Sequence, residues 1–139
     1  MAKQIREIMT TNPVVMKSTD TVVEAACLMR DRNIGAVLVY KNDALCGIVT
    51  DRDLAVRVLP EGSHPAGVSL QSICSQDVTK LSPTDTTESA VKLMREKAVR
   101  RLPVIENGKA VGIVSLGDLA IHVDRASALG QISAAPANR

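Results

Sequence analysis

Aromatic residues are almost absent from this chain, whose 139 residues include one Tyr and no Phe or Trp. The core must therefore be built from aliphatic side chains and methionine, and the base-stacking platforms of single-strand nucleic-acid binders are lacking. The 17 basic and 15 acidic residues are interspersed, so no basic block marks a surface for duplex DNA or a membrane. No apolar run approaches the roughly twenty residues of a membrane span. We therefore expect neither nucleic acid nor a membrane as a partner.

Disulfide and signal-peptide patterns are lacking as well. The three cysteines are an odd number without Cys-x-x-Cys spacing, which favours free thiols in a reducing compartment. Residues 1–5, Met-Ala-Lys-Gln-Ile, show no apolar signal-peptide core. The sequence predicts a cytoplasmic protein in which Cys27 and Cys46 act as small buried hydrophobic residues.

The chain does contain an internal repeat, whose copies are offset by 65 residues. Gly47–Ala55, with sequence Gly-Ile-Val-Thr-Asp-Arg-Asp-Leu-Ala, returns as Gly-Ile-Val-Ser-Leu-Gly-Asp-Leu-Ala at Gly112–Ala120. Ile8 and Ile73 match at the same offset. Because there are two copies rather than a longer array, the repeat predicts a closed pair related by a pseudo-two-fold axis.

Each copy has the same predicted order of elements, β-α-β-β-α. An apolar stripe at positions i, i+3, i+4 and i+7, beginning at Val22 and again at Thr87, predicts an amphipathic helix in each copy. Hairpins follow, with the second turn carrying Asn-Gly, a strong hairpin pattern. The predicted strands are 36–40, 46–49, 102–105 and 110–114, and closing helices begin near 51 and 116. The predicted fold class is α+β.

Composition sets the expected domain boundaries. The first repeat spans 1–60, a linker loop rich in Pro and Gly spans 61–69, and the second repeat spans 70–125. The tail over 126–139 is small and polar, and we expect it to be flexible and to fray.

The motif [Thr/Ser]-x-x-Asp occurs in both copies, as Thr50 with Asp53 and as Ser115 with Asp118, each at the start of a predicted helix. Such a pair forms a capping box without any ligand. It also suits a ribose diol, because a carboxylate accepts two hydrogen bonds from vicinal hydroxyls, and a preceding Gly lets a ligand approach the backbone. Both interpretations are open at this point.

Arg100 and Arg101 break the repeat, because the matching positions of the first copy are Gly35 and Ala36. Two adjacent guanidinium groups at the start of a strand suit phosphate contacts, although a solvated strand edge would look the same. The difference predicts that one site handles a more anionic ligand than the other.

Together with the repeat, three segments resemble a tandem pair of cystathionine β-synthase (CBS) domains: Met-Arg-x-x-x-Ile-Gly-Ala, Gly-Ile-Val-Thr-Asp-Arg-Asp-Leu and Val-Arg-Arg-Leu-Pro-Val. The resemblance covers about Ile5–Val123 and suggests a pair without an attached enzyme or channel domain. It implies two β-α-β-β-α repeats packed through their sheets, adenosine-nucleotide clefts between them, and assembly into homodimers.

The resemblance also implies site residues. Asp53 and Asp118 would hold the ribose beside Thr50 and Ser115, with Arg100 and Arg101 serving the phosphates of the Asp53 site. The resemblance further assigns Arg52 to the Asp118 site, and the lining of the adenine pockets to the backbone around Val14, Val15, Val78 and Thr79.

The sequence therefore predicts a non-catalytic sensor of AMP, ADP or ATP, with no obligatory cofactor. S-adenosylmethionine and NADH share the adenosine group and are further possible ligands. The alternative is an interaction or stress-related protein whose clefts bind nothing. An enzyme has least support, because no nucleophile or general base is placed in either cleft, and neither His64 nor His122 has metal-ligand spacing. The output would pass to a separate protein partner that the sequence does not identify.

Overall fold

The chain divides into two compact units in a computed structural model that describes residues 3–74, 79–124 and 126–135. The first-repeat unit comprises 14–78, and the second-repeat unit comprises 1–13 together with 79–139. Each unit contains one three-stranded sheet. The strands are β1 Thr10–Thr11, β2 Val15–Lys17, β3 Ala36–Lys41, β4 Ala44–Thr50, β5 Arg101–Glu106 and β6 Lys109–Ser115. The α-helices are α1 Val22–Arg32, α2 Asp51–Asp53, α3 Thr87–Lys97, α4 Leu116–Val123 and α5 Ala128–Ala134.

The first-repeat unit has the sheet order β2-β3-β4. β2 runs parallel to β3 because α1 forms the crossover between them, and β3 and β4 form an antiparallel hairpin. All of the first four residues of β3 are buried, as in a strand covered on both faces. This unit has the β-α-β-β-α order that the sequence predicts.

The second-repeat unit has the sheet order β1-β6-β5. In the described residues, its first strand is reduced to a single parallel bridge between Leu81 and Val104, which lies 65 positions after the Met16 and Val39 pair of the other unit. In addition, β1 pairs antiparallel with the free edge of β6. The α+β class is thus confirmed.

The segment that precedes each repeat packs into the unit of the other repeat. The Ile5 N–H donates to the Asp85 carbonyl at 2.8 Å, and the fully buried Ile5 belongs to the core of the second-repeat unit. Correspondingly, the Leu70 N–H donates to the Asp20 carbonyl at 2.8 Å, and Leu70 is buried in the first-repeat unit. The compact units therefore cut across the repeat boundaries predicted from the sequence.

Side-chain caps fix the ends of the long helices. The Glu24 N–H donates to Thr21 Oγ1 at 3.2 Å at the start of α1, and Thr86 caps α3 in the same way. Each helix ends at a left-handed residue, Asn33 with φ 52° and Ala98 with φ 54°. Asn tolerates this conformation and Ala pays a steric cost for it, so the second copy ends its helix less favourably.

The hairpin turns follow the expected chemistry. Asn107 and Gly108 both have positive φ, 52° and 78°, as a tight turn between twisted strands requires. In the first copy Asn42 adopts φ 57°. Both predicted hairpins are confirmed, with the strands one or two residues longer at most ends than expected.

Each unit has an aliphatic core of its own. The buried core residues of the first-repeat unit are Met16, Val22, Ala25, Met29, Val37, Val39, Val49, Val58, Leu70, Ile73 and Cys74. Those of the second-repeat unit are Ile5, Ile8, Leu81, Ala90, Met94, Leu102, Val104, Val114 and Leu119. Neither of these two core clusters contains an aromatic residue, and Met29 and Met94 supply the longest side chains on the helical stripes.

The closing helices differ between the copies. α2 continues without a break into a π-helical segment, Leu54–Val58, and a 3₁₀ turn, Leu59–Glu61, whereas α4 is regular. The tail that we expected to fray instead forms α5, because Ser127 Oγ accepts the Gly130 N–H at 3.0 Å as an N-cap and the helix packs on α4. The predicted linker loop also includes a 3₁₀ turn at Pro65–Gly67.

Within the ranges that the structure describes, no helix has the length and apolar character needed to cross a membrane.

Candidate functional site

Thr50 and Asp53 lie at the junction of β4 and α2 and form a complete capping box. The Asp53 N–H donates to Thr50 Oγ1 at 3.2 Å, and the Thr50 N–H donates to Asp53 Oδ2 at 2.8 Å. The Thr50 hydroxyl also donates to Oδ2 at 3.0 Å. These bonds fix the carboxylate in one orientation and use one of its two oxygens. The capping interpretation is therefore confirmed, and it leaves Oδ1 for other partners.

Arg57 is the partner of that second oxygen, and sequence reasoning missed it. Its Nε lies 3.5 Å from Asp53 Oδ1, and its Nη1 donates to the Ile73 carbonyl at 3.1 Å. The side chain of Asp53 is 17% exposed and that of Arg57 is 51% exposed, so the ion pair is partly open to solvent. The i, i+4 spacing of an acidic and a basic residue was the available indication of this pair.

Ser115 and Asp118 form the matching capping box at the start of α4. The Asp118 N–H donates to Ser115 Oγ at 3.1 Å, and the Ser115 N–H donates to Asp118 Oδ2 at 2.9 Å. The position that corresponds to Arg57 is His122, which is exposed. Among the described residues, no side chain forms an ion pair with Asp118.

The C-terminal helix α5 covers the first turn of α4. A Cβ built on Gly117 would lie 3.1 Å from Ser133 Oγ and 3.3 Å from Ser133 Cβ, so Gly at this position admits the helix. One turn later, Ile121 is half-buried, whereas Val56 at the matching position of the first copy is 46% exposed. The two motifs thus form the same cap, but the helix that follows Thr50 is more exposed at Val56 than the helix that follows Ser115 is at Ile121.

The space next to the Cα of Gly112 is occupied by residues of the preceding segment, Met9 and Thr10. A Cβ at this position would lie 2.6 Å from Met9 Sδ and 2.9 Å from the Thr10 carbonyl oxygen, because β1 pairs with β6 here, with Thr11 opposite Gly112. Our interpretation of this Gly as a point of ligand approach is wrong for the second copy. The close packing of β1 explains the residue instead.

The predicted phosphate-binding residues lie in the second-repeat unit. Arg100 is exposed, and its carbonyl accepts the Leu116 N–H at 2.8 Å. Arg101 is half-buried and opens β5 opposite Ser115. Arg52, predicted for the Asp118 site, is exposed in α2 of the first-repeat unit.

The predicted adenine-pocket residues lie beside the short first strands. The Val14 carbonyl accepts the Leu38 N–H at 2.9 Å, and Val15, in β2, is 48% exposed. Thr79 is half-buried. Val78 lies outside the described residues.

The remaining candidate side chains form no metal centre. In the described part of the chain, no three His, Cys, Asp or Glu side chains come together. His64 is exposed, and its Nδ1 accepts the Ala66 N–H at 3.2 Å as a local cap.

Two cysteines meet in the first-repeat unit, a contact that their separation in the sequence did not indicate. Cys46 Sγ lies 3.1 Å from Cys74 Sγ. Burial, followed by the hydrogen bond with Cys46, raises the pKa of the Cys74 thiol to about 12.

Comparison with known proteins connects these features to a family. The family model of the CBS domain matches the chain twice, at residues 5–59 and 70–125. The CBS domain-containing protein YhcV of Bacillus subtilis is 35% identical over 118 residues, which cover 85% of this chain and 84% of YhcV.

Solved structures show the same fold. The CBS domain structure NE2398 superposes with a TM-score of 0.80 at 30% identity, covering 88% of this chain and 98% of that one. The CBS domain pair of MJ0100, solved in complex with 5′-methylthioadenosine and S-adenosyl-L-methionine, reaches a TM-score of 0.79 at 20% identity, over 88% of this chain and 97% of that one. The repeat, the two sheets and these matches lead to one conclusion: this chain belongs to the CBS domain family, as a tandem pair of CBS domains.

Proposed function

We propose that this protein is a non-catalytic regulatory module that senses an adenine nucleotide, AMP, ADP or ATP, with the ribose held at Asp53. The observation that carries the proposal is the state of the Asp53 carboxylate. Thr50 fixes its orientation through hydrogen bonds to Oδ2. Oδ1 lies 3.5 Å from Arg57 Nε, an ion-pair distance longer than that of a typical hydrogen bond. An oriented, partly exposed carboxylate oxygen is a suitable acceptor for the hydroxyls of a ribose diol.

Family membership supports an adenosine-containing ligand. The MJ0100 pair was solved with two adenosyl compounds, and the adenosine group is common to them and to the nucleotides proposed here. S-adenosylmethionine and NADH contain the same group and remain candidates to be tested against the nucleotides.

Arg100 and Arg101 are the proposed phosphate partners in the Asp53 site. Their guanidinium groups suit bidentate phosphate contacts, and Arg100 is exposed directly before the start of β5. We propose in addition that Arg52 contributes to the Asp118 site, and that Val14, Val15, Val78 and Thr79 contribute to the adenine pockets. Each of these assignments is tested by the loss of affinity on substitution.

We propose that the Asp118 site is the weaker of the two. The residues that match Arg100 and Arg101 are Gly35 and Ala36, which offer no charge to a phosphate. The helix α5 also lies against Gly117 in the first turn of α4. Both features disfavour an anionic ligand at Asp118.

The test is thermal unfolding of the protein with AMP, ADP, ATP, S-adenosylmethionine and NADH, each compared with Asp53→Ala. A ligand at about 100 times its Kd adds roughly 2.7 kcal/mol to the free energy of unfolding, which raises Tm by several degrees. A shift with one ligand that disappears in Asp53→Ala is the expected result. If none of the five compounds shifts Tm, the sensor proposal is rejected, and an interaction protein with empty clefts takes its place.

We further propose that the module acts as a homodimer that signals to a separate protein partner. Each unit has an apolar groove between its long helix and its closing helix, of about 310 Å³ in the first-repeat unit and about 430 Å³ in the second-repeat unit. Each of the two long helices also has an exposed valine, Val23 of α1 by 40% and Val91 of α3 by 42%. Exposed apolar grooves of this kind are typical of protein–protein contact surfaces.

Sedimentation analysis of Val23→Glu with Val91→Glu tests the dimer. A charge buried in an apolar interface is strongly unfavourable, so the double variant is expected to sediment as a monomer. Val15→Glu, which adds a charge at an exposed valine outside the helices, is the control and should remain dimeric. A wild-type protein that sediments as a monomer at all concentrations would reject the dimer.

A further inference from the structure

Cys46 and Cys74 come into contact within the first-repeat unit although 28 residues separate them. Cys46 lies in the middle of β4 and is half-buried, and Cys74 follows a 3₁₀ turn at Leu70–Ser72 and is 5% exposed. Both pack on the same aliphatic core. Their Sγ atoms are 3.1 Å apart, so about 1 Å of approach would reach the bond length of a disulfide.

We propose that Cys46 and Cys74 are a redox modification site that forms a reversible intramolecular disulfide by exchange with a low-molecular-weight disulfide such as oxidised glutathione. The exchange takes two steps. The Cys46 thiolate attacks one sulfur of the small disulfide and releases one small thiol, leaving a mixed disulfide on Cys46. The Cys74 sulfur then attacks Cys46 Sγ, loses its proton to solvent and releases the second small thiol. Two protein thiols are oxidised, and one small disulfide is reduced to two thiols.

The surroundings of the two thiols assign the order of attack. Cys46 is the more accessible of the pair, so an external disulfide reaches it first. Burial and the contact with Cys46 raise the pKa of Cys74 to about 12, which keeps Cys74 protonated while Cys46 is free. Once Cys46 is in the mixed disulfide, the Cys74 sulfur is already adjacent to Cys46 Sγ, which favours the intramolecular step.

The bond would tie β4, which ends at Thr50, to the segment that carries the Ile73 carbonyl. Arg57 donates to this carbonyl and forms the ion pair with Asp53. The disulfide would therefore hold the hydrogen-bond acceptor that positions Arg57 next to the Asp53 carboxylate. It also closes a loop of 28 residues, which reduces the entropy of the unfolded chain. The oxidised protein is therefore expected to melt roughly 5–10 °C higher than the reduced protein.

The test is intact-mass analysis of the protein equilibrated with oxidised and reduced glutathione, then denatured in acid and alkylated. The wild type is expected to lose two hydrogens and keep one alkylatable thiol, Cys27, and dithiothreitol should restore all three. Cys27→Ser should lose the same mass and keep none. In the Cys27→Ser background, Cys74→Ser should stop at the mixed disulfide on Cys46, whereas Cys46→Ser should keep the Cys74 thiol free.

The outcomes against the proposal are equally direct. Three alkylatable thiols in the wild type under oxidising glutathione would overturn it, as would a disulfide that involves Cys27 or joins two chains. Peptide mapping of the wild type identifies the bonded pair without any variant that must fold. The mass readout does not involve a nucleotide, so it stands apart from the test of the sensor function.

Discussion

The two [Thr/Ser]-x-x-Asp motifs have the same cap and different neighbours. Asp53 has a basic partner one turn away in Arg57, whereas Asp118 has His122 at that position. The helix that begins at Asp51 exposes Val56 to solvent, whereas α5 packs on α4 in the second copy. Capping explains why the motif is present twice. It does not explain the differences, which are those expected if the two proposed ligand sites are unequal.

The comparison also separates two kinds of constraint on sequence. The positions that repeat after 65 residues are those that form caps, strands and core, such as Val49 and Val114, both fully buried. Arg52 and Gly117, which match in position and differ in residue type, lie in the first turns of the two closing helices. Local folding therefore requires the matching positions, and the surroundings of each carboxylate can vary.

The largest expected change in stability comes from filling the space over Gly112. Gly112→Ala places a Cβ against the Met9 side chain and, at 2.9 Å, the Thr10 carbonyl, and the backbone oxygen cannot move without displacing β1. We expect a loss of about 1–3 kcal/mol in chemical denaturation. Gly67→Ala, where nothing lies within 4 Å, is the matched control and should be close to neutral. Equal effects of the two substitutions would contradict the packing of β1 on β6.

Deletion of α5 tests the unequal covering of the closing helices. A chain that ends at Asp124 exposes Ile121 as fully as Val56 is exposed in the first copy. The loss of apolar burial should cost about 1 kcal/mol in free energy of unfolding. The same deletion should leave the affinity for a nucleotide at Asp53 unchanged. A fall in that affinity would contradict our account, because it would mean that α5 contributes to the Asp53 site.

The left-handed helix ends offer a reciprocal pair of substitutions. Ala98→Asn gives α3 the residue that ends α1, and it should stabilise the protein by about 0.5–1 kcal/mol because Asn tolerates positive φ. Asn33→Ala should destabilise it by a similar amount. Thermal unfolding of both variants and of the double variant checks the signs. Two changes in the same direction would show that neighbouring contacts, not backbone strain, decide these positions.

The smallest expected effect is that of the ion pair. Arg57→His makes the first copy resemble the second, and a pair with a side chain 51% exposed contributes no more than about 0.5 kcal/mol. Nucleotide affinity is the more sensitive measurement, because the substitution weakens the positive potential next to Asp53. We expect weaker AMP binding at neutral pH, with partial recovery under acidic conditions, where the introduced imidazole would be protonated. Unchanged AMP affinity at neutral pH would show that the cation beside Asp53 has no part in binding.

Much of the fold was predictable because its information is local. The apolar spacing of α1, the Thr21 cap and the Asn107-Gly108 turn each act within a few residues, and the repeat allowed each to be checked against its copy. The Thr50 and Asp53 motif could be recognised for the same reason, since its two residues are only three positions apart.

The features that sequence reasoning missed depend on distant parts of the chain. Nothing near Ile5 indicates that it joins the core of the second-repeat unit, and nothing near Cys46 points to Cys74. The helix α5 was missed because it is only seven residues long, too short for its own sequence to indicate a stable helix, and it packs on the helix α4. The π-helical segment Leu54–Val58 likewise has no signature in the residues themselves.

Isothermal titration of AMP into the wild type, Asp53→Ala and Asp118→Ala tests the central claim most directly. The two substitutions remove equivalent caps and so have similar structural costs. We predict a single AMP per chain, little change in affinity for Asp118→Ala, and a loss of at least about 100-fold for Asp53→Ala, because two hydrogen bonds to a charged acceptor disappear. Equal losses in both variants, or two equivalent AMP sites in the wild type, would contradict the account.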